Sequence, residues 1–146
     1  AVMSASSLVV YVLEADDRAG VMHAIAAVFA HRGLSMHSLL ADTGRKPSRI
    51  LVSFDGTERQ QKLVQQVLTR LHHVQGVRVL RTDSPELRAI AVGRMCGPLP
   101  QLAEVIAQTH GDAVMLSGRY RDVEAAVSEL EAKGLIAEVA RSLVAL

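Results

Sequence analysis

The feature that most restricts the fold of this chain is an early run of six apolar residues, 8–13 (LVVYVL), which contains no polar residue. A strand in which neighbouring residues are all apolar has both faces buried, so this run predicts a central strand of a sheet. A polar turn follows, and the next apolar residues have the spacing of one helical face. These residues are Val21, Ile25, Val28 and Phe29. Together the two segments predict a sheet with a helix packed on it.

The rest of the first half continues the alternation of strands and helices. Residues 34–41 and 49–54 predict two more strands, separated by a turn that contains Gly44 and Pro47. A second helix follows, and residues 77–81 predict a fourth strand. The apolar residues of that helix lie on one face: Val64, Val67, Leu68 and Leu71. The order β-α-β-β-α-β, with right-handed crossovers, predicts a four-stranded antiparallel sheet with both helices on one face.

After a linker at 82–86 (TDSPE), a similar pattern begins again in a shorter form. The predicted elements are a strand at 87–92, a helix marked by Leu102, Val105 and Ile106, a strand at 113–116, a helix marked by Val123, Ala126, Val127 and Leu130, and an extended segment at 136–144. Both halves end in a similar segment, GVRVLR at 76–81 and GLIAEVAR at 134–141, which indicates an internal duplication. The second half is therefore predicted as β-α-β-α-β, one strand short.

These patterns predict an α+β fold made of two ferredoxin-like (βαββαβ) domains, the second of them shortened. We expect the first domain at residues 7–82 and the second at residues 87–146.

Composition narrows the classes of function. The formal net charge is +1, so no strong field attracts nucleic acid or an anionic membrane surface. No apolar run reaches the roughly 18 residues that a membrane span needs. Cys96 is the single cysteine, and the N-terminal residues lack the features of a signal peptide, so we expect a cytoplasmic protein without disulfides. The six histidines have no metal-ligand spacing, and no catalytic nucleophile or base is indicated.

The turn after the first strand is the most informative stretch for function. An aspartate, a glycine and a helix N-terminus come together there within a few residues. Free backbone N–H groups at a helix N-terminus favour an anion such as a carboxylate, and Gly20 lets a ligand approach its backbone closely. Asp17 either binds an α-ammonium group or caps the helix. From this turn alone, a purely structural role for both residues stays open.

This turn also supports a family resemblance. Residues 17–21 (DRAGV), followed by a helix that ends in HRGL at 31–34 and by a strand, resemble the signature of ACT domains. Residues 12–40 resemble the small regulatory subunit of acetolactate (acetohydroxyacid) synthase. Residues 136–142 (IAEVARS) are similar to the C-terminal strand of that subunit. The resemblance covers nearly the whole chain in order and implies two ACT modules.

The resemblance implies a regulatory role without catalytic residues. In that family, two first modules pair side by side into one eight-stranded sheet, and valine binds between the two chains. The implied ligand-binding residues are Asp17, Ala19, Gly20 and Val21 of one chain with Ser35 and Met36 of the other. The implied partners are a second copy of the chain, the amino-acid effector and an acetolactate synthase catalytic subunit. Thiamine diphosphate, flavin and magnesium would belong to that catalytic subunit, so we expect no cofactor and no metal in this chain.

Two departures from the family pattern leave alternatives open. The family usually has asparagine where this chain has Asp17 and Ser35, which bears on the choice of ligand. The strand missing from the second half favours a stand-alone amino-acid sensor as the alternative function. A small α/β enzyme is the third possibility, and the lack of a converging nucleophile, base or metal set argues against it.

Overall fold

The computed structural model describes residues 5–16 and 19–146. The chain divides into two compact units, with the division between Arg81 and Thr82.

The first unit consists of one antiparallel sheet and two helices. Its elements are β1 (Ser7–Ala15), α1 (Val21–Ala30), β2 (Met36–Asp42), β3 (Ser48–Gly56), α2 (Glu58–Thr69) and β4 (Val74–Arg81). The strand order across the sheet is β2-β3-β1-β4, and every neighbouring pair is antiparallel. The predicted β-α-β-β-α-β order and the four-stranded antiparallel sheet are therefore confirmed.

Strand β1 is central, as its apolar run predicts. Val10 on one face and Tyr11 on the other are both fully buried. The four buried residues of α1 are the four that the helical spacing predicts: Val21, Ile25, Val28 and Phe29. They pack with one face of β1 and β3 and with α2 in a single core, so both helices cover the same face of the sheet. The core is mostly aliphatic, and Phe29 and Phe54 meet edge to face at a ring distance of 5.4 Å.

Two buried polar side chains tie α2 to the sheet. The Tyr11 hydroxyl donates to the Gln61 carbonyl oxygen at 2.8 Å. Gln61 Nε2 donates to the carbonyl oxygens of Ser7 at 2.9 Å and Gly56 at 2.8 Å. Burial raises the pKa of Tyr11, because the interior disfavours the phenolate.

The second unit has the same sheet arrangement. Its elements are β5 (Leu87–Met95), β6 (Ile106–His110), β7 (Ala113–Arg119), α3 (Tyr120–Ala132) and β8 (Ile136–Ala145). The strand order is β6-β7-β5-β8, again antiparallel throughout. This order corresponds strand for strand to that of the first unit, in agreement with an internal duplication. Helix α3 buries the four residues that its spacing predicts: Val123, Ala126, Val127 and Leu130.

The second unit is shortened by a helix and not by a strand, so the predicted β-α-β-α-β order is wrong. Residues 82–146 are all described; residues 96–105 contain no helix, and Ile106 begins strand β6. Pro98 and Pro100 disfavour a helix before and around them, and only five residues separate Pro100 from β6. Leu102 and Val105, which suggested a helical face, pack against the core of this unit from an irregular segment. Gly111, with a φ of 61°, lies in the turn between β6 and β7 and does not end a helix.

Candidate functional site

The first strand-to-helix turn presents an open helix N-terminus. Strand β1 ends at Ala15 and α1 begins at Val21, with Ala19 and Gly20 exposed just before it. Gly20 has a φ of 92°, and a Cβ atom there would meet no heavy atom within 4 Å. Asp17 lies outside the described residues.

Among the described residues, no side chain caps the backbone N–H groups at the start of α1. The residue preceding the helix is Gly20, and the first turn contains no acidic side chain. Helix α2 differs, because Thr57 and Gln60 form a reciprocal capping box at its start. Uncapped N–H groups and the positive end of the helix dipole make the start of α1 suited to a carboxylate.

The end of β1 is tied to the connection between α2 and β4. The Asp16 amide donates to the His73 carbonyl oxygen at 2.9 Å. The Asp16 carboxylate accepts a hydrogen bond from Gln75 Nε2 at 2.6 Å and lies 3.3 Å from His73 Nδ1. These contacts fix the chain direction immediately before the turn.

The last two residue pairs of β1 and β3 contain polar side chains on opposite faces of the sheet. Glu14 is opposite Arg49, and both Nε and Nη2 of Arg49 donate to Glu14 Oε1 at 2.9 Å. Ala15 is opposite Ser48, whose side chain is buried. Among the described residues, Glu14 Oε2 and Ser48 Oγ are the two buried side-chain oxygens with no hydrogen-bond partner.

Ser35 and Met36 lie at the other end of α1. Ser35 is exposed just before β2, and Met36 is half-buried against the core. Helix α1 has ten residues and is therefore about 15 Å long. The structure therefore does not bring Gly20 and Ser35 together within one chain, and a site that contains both needs two chains.

Sequence reasoning missed Glu14, Asp16 and Ser48. Asp16 is adjacent to Asp17, which belongs to the turn pattern, so the pair of neighbouring aspartates is the feature that could have identified Asp16. Ser48 follows Pro47, and the sequence pattern predicts it in a turn, whereas it is the first residue of β3. No local pattern marks its burial, since that depends on the pairing with Ala15, which is distant in sequence.

Other reactive side chains form no second centre. Within 5–16 and 19–146, no three His, Cys, Asp or Glu side chains are grouped as metal ligands. Cys96 is exposed, with its sulfur 4.0 Å from the Arg94 carbonyl oxygen. In the same described residues, no helix is both long and apolar enough to cross a bilayer.

Comparison with known proteins agrees with this fold and with the position of the turn. Residues 12–77 match the family described as the AHAS small subunit-like ACT domain, where AHAS is acetohydroxyacid synthase. The first module is an ACT domain of the acetohydroxyacid synthase small-subunit type. The matched residues include the uncapped start of α1 as well as Ser35, Met36 and Ser48. Every described residue of the candidate site therefore lies within the family match.

Two solved structures share the fold over most of the chain. The acetolactate synthase small subunit from Thermotoga maritima is 22% identical, with 97% of this chain and 96% of that chain covered and a TM-score of 0.62. Aspartokinase, in a structure of its alpha and beta subunits, is 14% identical, with 92% and 100% covered and a TM-score of 0.52. No curated protein matches the chain in sequence. These two matches show that the α+β fold of this chain also occurs in those two proteins.

Proposed function

We propose that this chain is a regulatory subunit that binds a branched-chain amino acid, valine or a close relative, and adjusts an acetolactate synthase catalytic subunit. The observation that supports this most is the position of the family match. It falls on the module in which α1 begins directly after Gly20, with no side-chain cap from the described residues. The similar Thermotoga maritima protein is itself an acetolactate synthase small subunit.

The proposed effector site is shared by two chains. The N–H groups at the start of α1 bind the carboxylate, Asp17 binds the α-ammonium group, and Ala19, Gly20 and Val21 form the wall of the turn. Ser35 and Met36 come from the second chain, because both lie about a helix length away within one chain. Strand β2 provides the contact, since its residues after Met36 are exposed along a free sheet edge.

The proposed mechanism is a population shift. An effector bound between two chains favours one arrangement of the pair, and the catalytic subunit responds to that arrangement. In this mechanism the catalytic groups and the cofactors belong to the catalytic subunit. The stand-alone sensor remains the alternative, although the second unit is shortened by a helix and contains the strand that the sequence pattern lacks.

Two measurements test this function. Isothermal titration with each of the twenty amino acids is expected to give binding for valine, leucine or isoleucine and not for charged amino acids. Assays of an acetolactate synthase catalytic subunit from the same organism, with and without the chain, are expected to show a rate that depends on the chain and on the effector. Binding of an amino acid without any effect on, or association with, the catalytic subunit would favour the stand-alone sensor. No binding of any amino acid would exclude both functions.

A further inference from the structure

Both buried oxygens that lack a partner among the described residues lie at one end of the first sheet. Glu14 Oε2 and Ser48 Oγ belong to adjacent ladder pairs, Glu14 with Arg49 and Ala15 with Ser48. Buried polar atoms in folded proteins nearly always have a hydrogen-bond partner, because an unpaired one keeps its full desolvation penalty. Because the two atoms lie on opposite faces of the sheet, they do not form one cluster, and the Ser48 hydroxyl is the one on the face that the helices cover.

Ser48 is on the helix-covered face of the sheet. Side chains alternate along a strand, so Ser48 shares its face with Ile50, Val52 and Phe54 of β3. These three residues pack in the core that includes Val21, the first residue of α1. The side chain of Ser48 is 4% exposed. A buried hydroxyl without a partner is thus on the face, and at the end of the sheet, where α1 begins.

The pairing of β2 with β3 relates Ser48 to the sheet edge. Asp42 at the end of β2 is opposite Arg49, the residue next to Ser48. Ser48 therefore lies between the end of β1, which leads into the turn, and the end of the edge strand β2. If the two β2 edges of a dimer pair antiparallel, the start of the partner's β2 approaches this same end.

We infer that Ser48 is a further effector contact, whose hydroxyl donates a hydrogen bond to the carboxylate held at the start of α1. This inference rests on the proposed amino-acid function and adds a residue that the turn motif does not contain. The hydroxyl adds one more hydrogen-bond donor to those that the N–H groups at the start of α1 offer the carboxylate. It also explains why a polar residue is buried at a position where alanine would fill the space without a desolvation penalty.

The test compares Ser48→Ala with Ser53→Ala by isothermal titration with L-valine and by thermal unfolding. Ser53 is the matched control, since it is on the same strand, is 2% exposed and has a partner, the Ser38 hydroxyl. We expect Ser48→Ala to bind valine about tenfold or more weakly, because a hydrogen bond to a charged group is lost. Its midpoint of unfolding should not fall, because the hydroxyl makes no bond in the protein. Ser53→Ala should unfold at a lower temperature and bind valine as the unmodified protein does.

A second ligand identifies the group that Ser48 binds. The keto acid 2-ketoisovalerate has the carboxylate of valine without the ammonium group, so Ser48→Ala should weaken both ligands by the same factor. A loss confined to valine would overturn the assignment to the carboxylate.

Three other results would also overturn the inference. Unchanged valine affinity in Ser48→Ala would exclude the contact and leave the proposed function standing. A fall in unfolding temperature as large as that of Ser53→Ala would show that the hydroxyl has a structural partner. If the unmodified protein binds no branched-chain amino acid, the proposed function fails, and the Ser48 contact fails with it.

Discussion

Gly20 combines a left-handed backbone conformation with open space at the start of a helix. Its φ of 92° is unfavourable for any residue with a Cβ atom, and no heavy atom lies within 4 Å of the Cβ position. We expect Gly20→Ala to lower the free energy of unfolding by about 1 kcal/mol through backbone strain. We also expect it to abolish measurable valine binding, because the new methyl group occupies the approach of the carboxylate to the helix N-terminus. Urea unfolding and isothermal titration measure the two effects.

The control for Gly20 is Gly134→Ala in the second unit. Gly134 has a φ of 66° and equally open space around its Cβ position. The stability loss should be similar, and valine affinity should not change. If Gly134→Ala also abolishes binding, strain in the chain, and not a blocked site, accounts for the result.

Tyr11 provides a test of the buried hydrogen bond between β1 and α2. Tyr11→Phe removes the donor to the Gln61 carbonyl oxygen, so the free energy of unfolding at neutral pH should fall by about 1 kcal/mol. Tyr120 is the other tyrosine of the chain and is half-buried, and its hydroxyl makes no hydrogen bond to the described residues. Tyr120→Phe should therefore change stability much less in the same urea titration.

The two tyrosines also predict how stability depends on alkaline pH. Burial raises the pKa of Tyr11 above its ordinary value of about 10, and burial followed by the charge of Glu124 raises that of Tyr120. Above pH 10 the unfolded chain loses phenolic protons that the folded chain retains. The stabilising contribution is therefore complete below about pH 10 and is lost as the pH rises towards the folded-state values. Unfolding measured from pH 8 to 11 should show this decline, and Tyr11→Phe should make it shallower.

At the residue scale, the sequence pattern identifies the β1–α1 turn but not the nearby residues Glu14, Asp16 and Ser48. An Asp-x-x-Gly pattern before a helical face is local, so Gly20 and Val21 can be selected from adjacent residues alone. Ser48 becomes significant only through its pairing with Ala15, 33 positions earlier in the sequence. Sheet register of this kind depends on the packing of the whole module, and short-range patterns do not contain it.

At the scale of elements, prediction succeeded where the hydrophobic pattern repeated over two or more helical turns. Helix α3 has four buried residues at regular spacing over two turns, and both its presence and its face are confirmed. The mistaken helix near Leu102 rested on three apolar residues within five positions, which a strand or an irregular segment can also contain. The strand Ile106–His110 hydrogen-bonds to β7 and so pairs the backbone groups along that side of β7. A short helix after Pro100 would leave those groups of β7 without partners.

The free edge of β2 gives a prediction about assembly. Leu40 is near the middle of this edge strand and is 45% exposed. We propose that two β2 strands pair antiparallel about a two-fold axis, which places the two copies of Leu40 near each other. Leu40→Lys would then bring like charges together and shift the chain from dimer to monomer at micromolar concentration in sedimentation equilibrium.

The matched control for that variant is Leu63→Lys. Leu63 is also 45% exposed but lies on α2, away from the sheet edge. It should leave the dimer intact. Dissociation by both variants, or by neither, would count against pairing through β2.

At the scale of the whole molecule, two modules with the same strand order have diverged in what lies before the second strand. The first has the α1 helix and its open N-terminus, and the second has an irregular segment at residues 96–105 in the corresponding position. The family match covers residues 12–77, which are in the first module. The β1–α1 turn with its left-handed Gly20 therefore has no counterpart before β6 in the second module, where residues 96–105 contain no helix.

A site shared by two chains makes a prediction that a site within one chain does not. Ser35→Trp fills the position next to the effector from the β2 side, and Gly20→Ala blocks it from the turn side. In a dimer of either variant, both sites contain one altered component, and neither should bind valine. In a mixed dimer, one site contains both alterations and the other contains neither. Unfolding the two variants, mixing them and refolding them together should therefore restore valine binding at the affinity of the unmodified protein. Random exchange makes half of the dimers mixed, so titration should give about one site per four chains. Each variant refolded alone is the control. If mixing restores no binding, Gly20 and Ser35 do not contribute to a common site between chains.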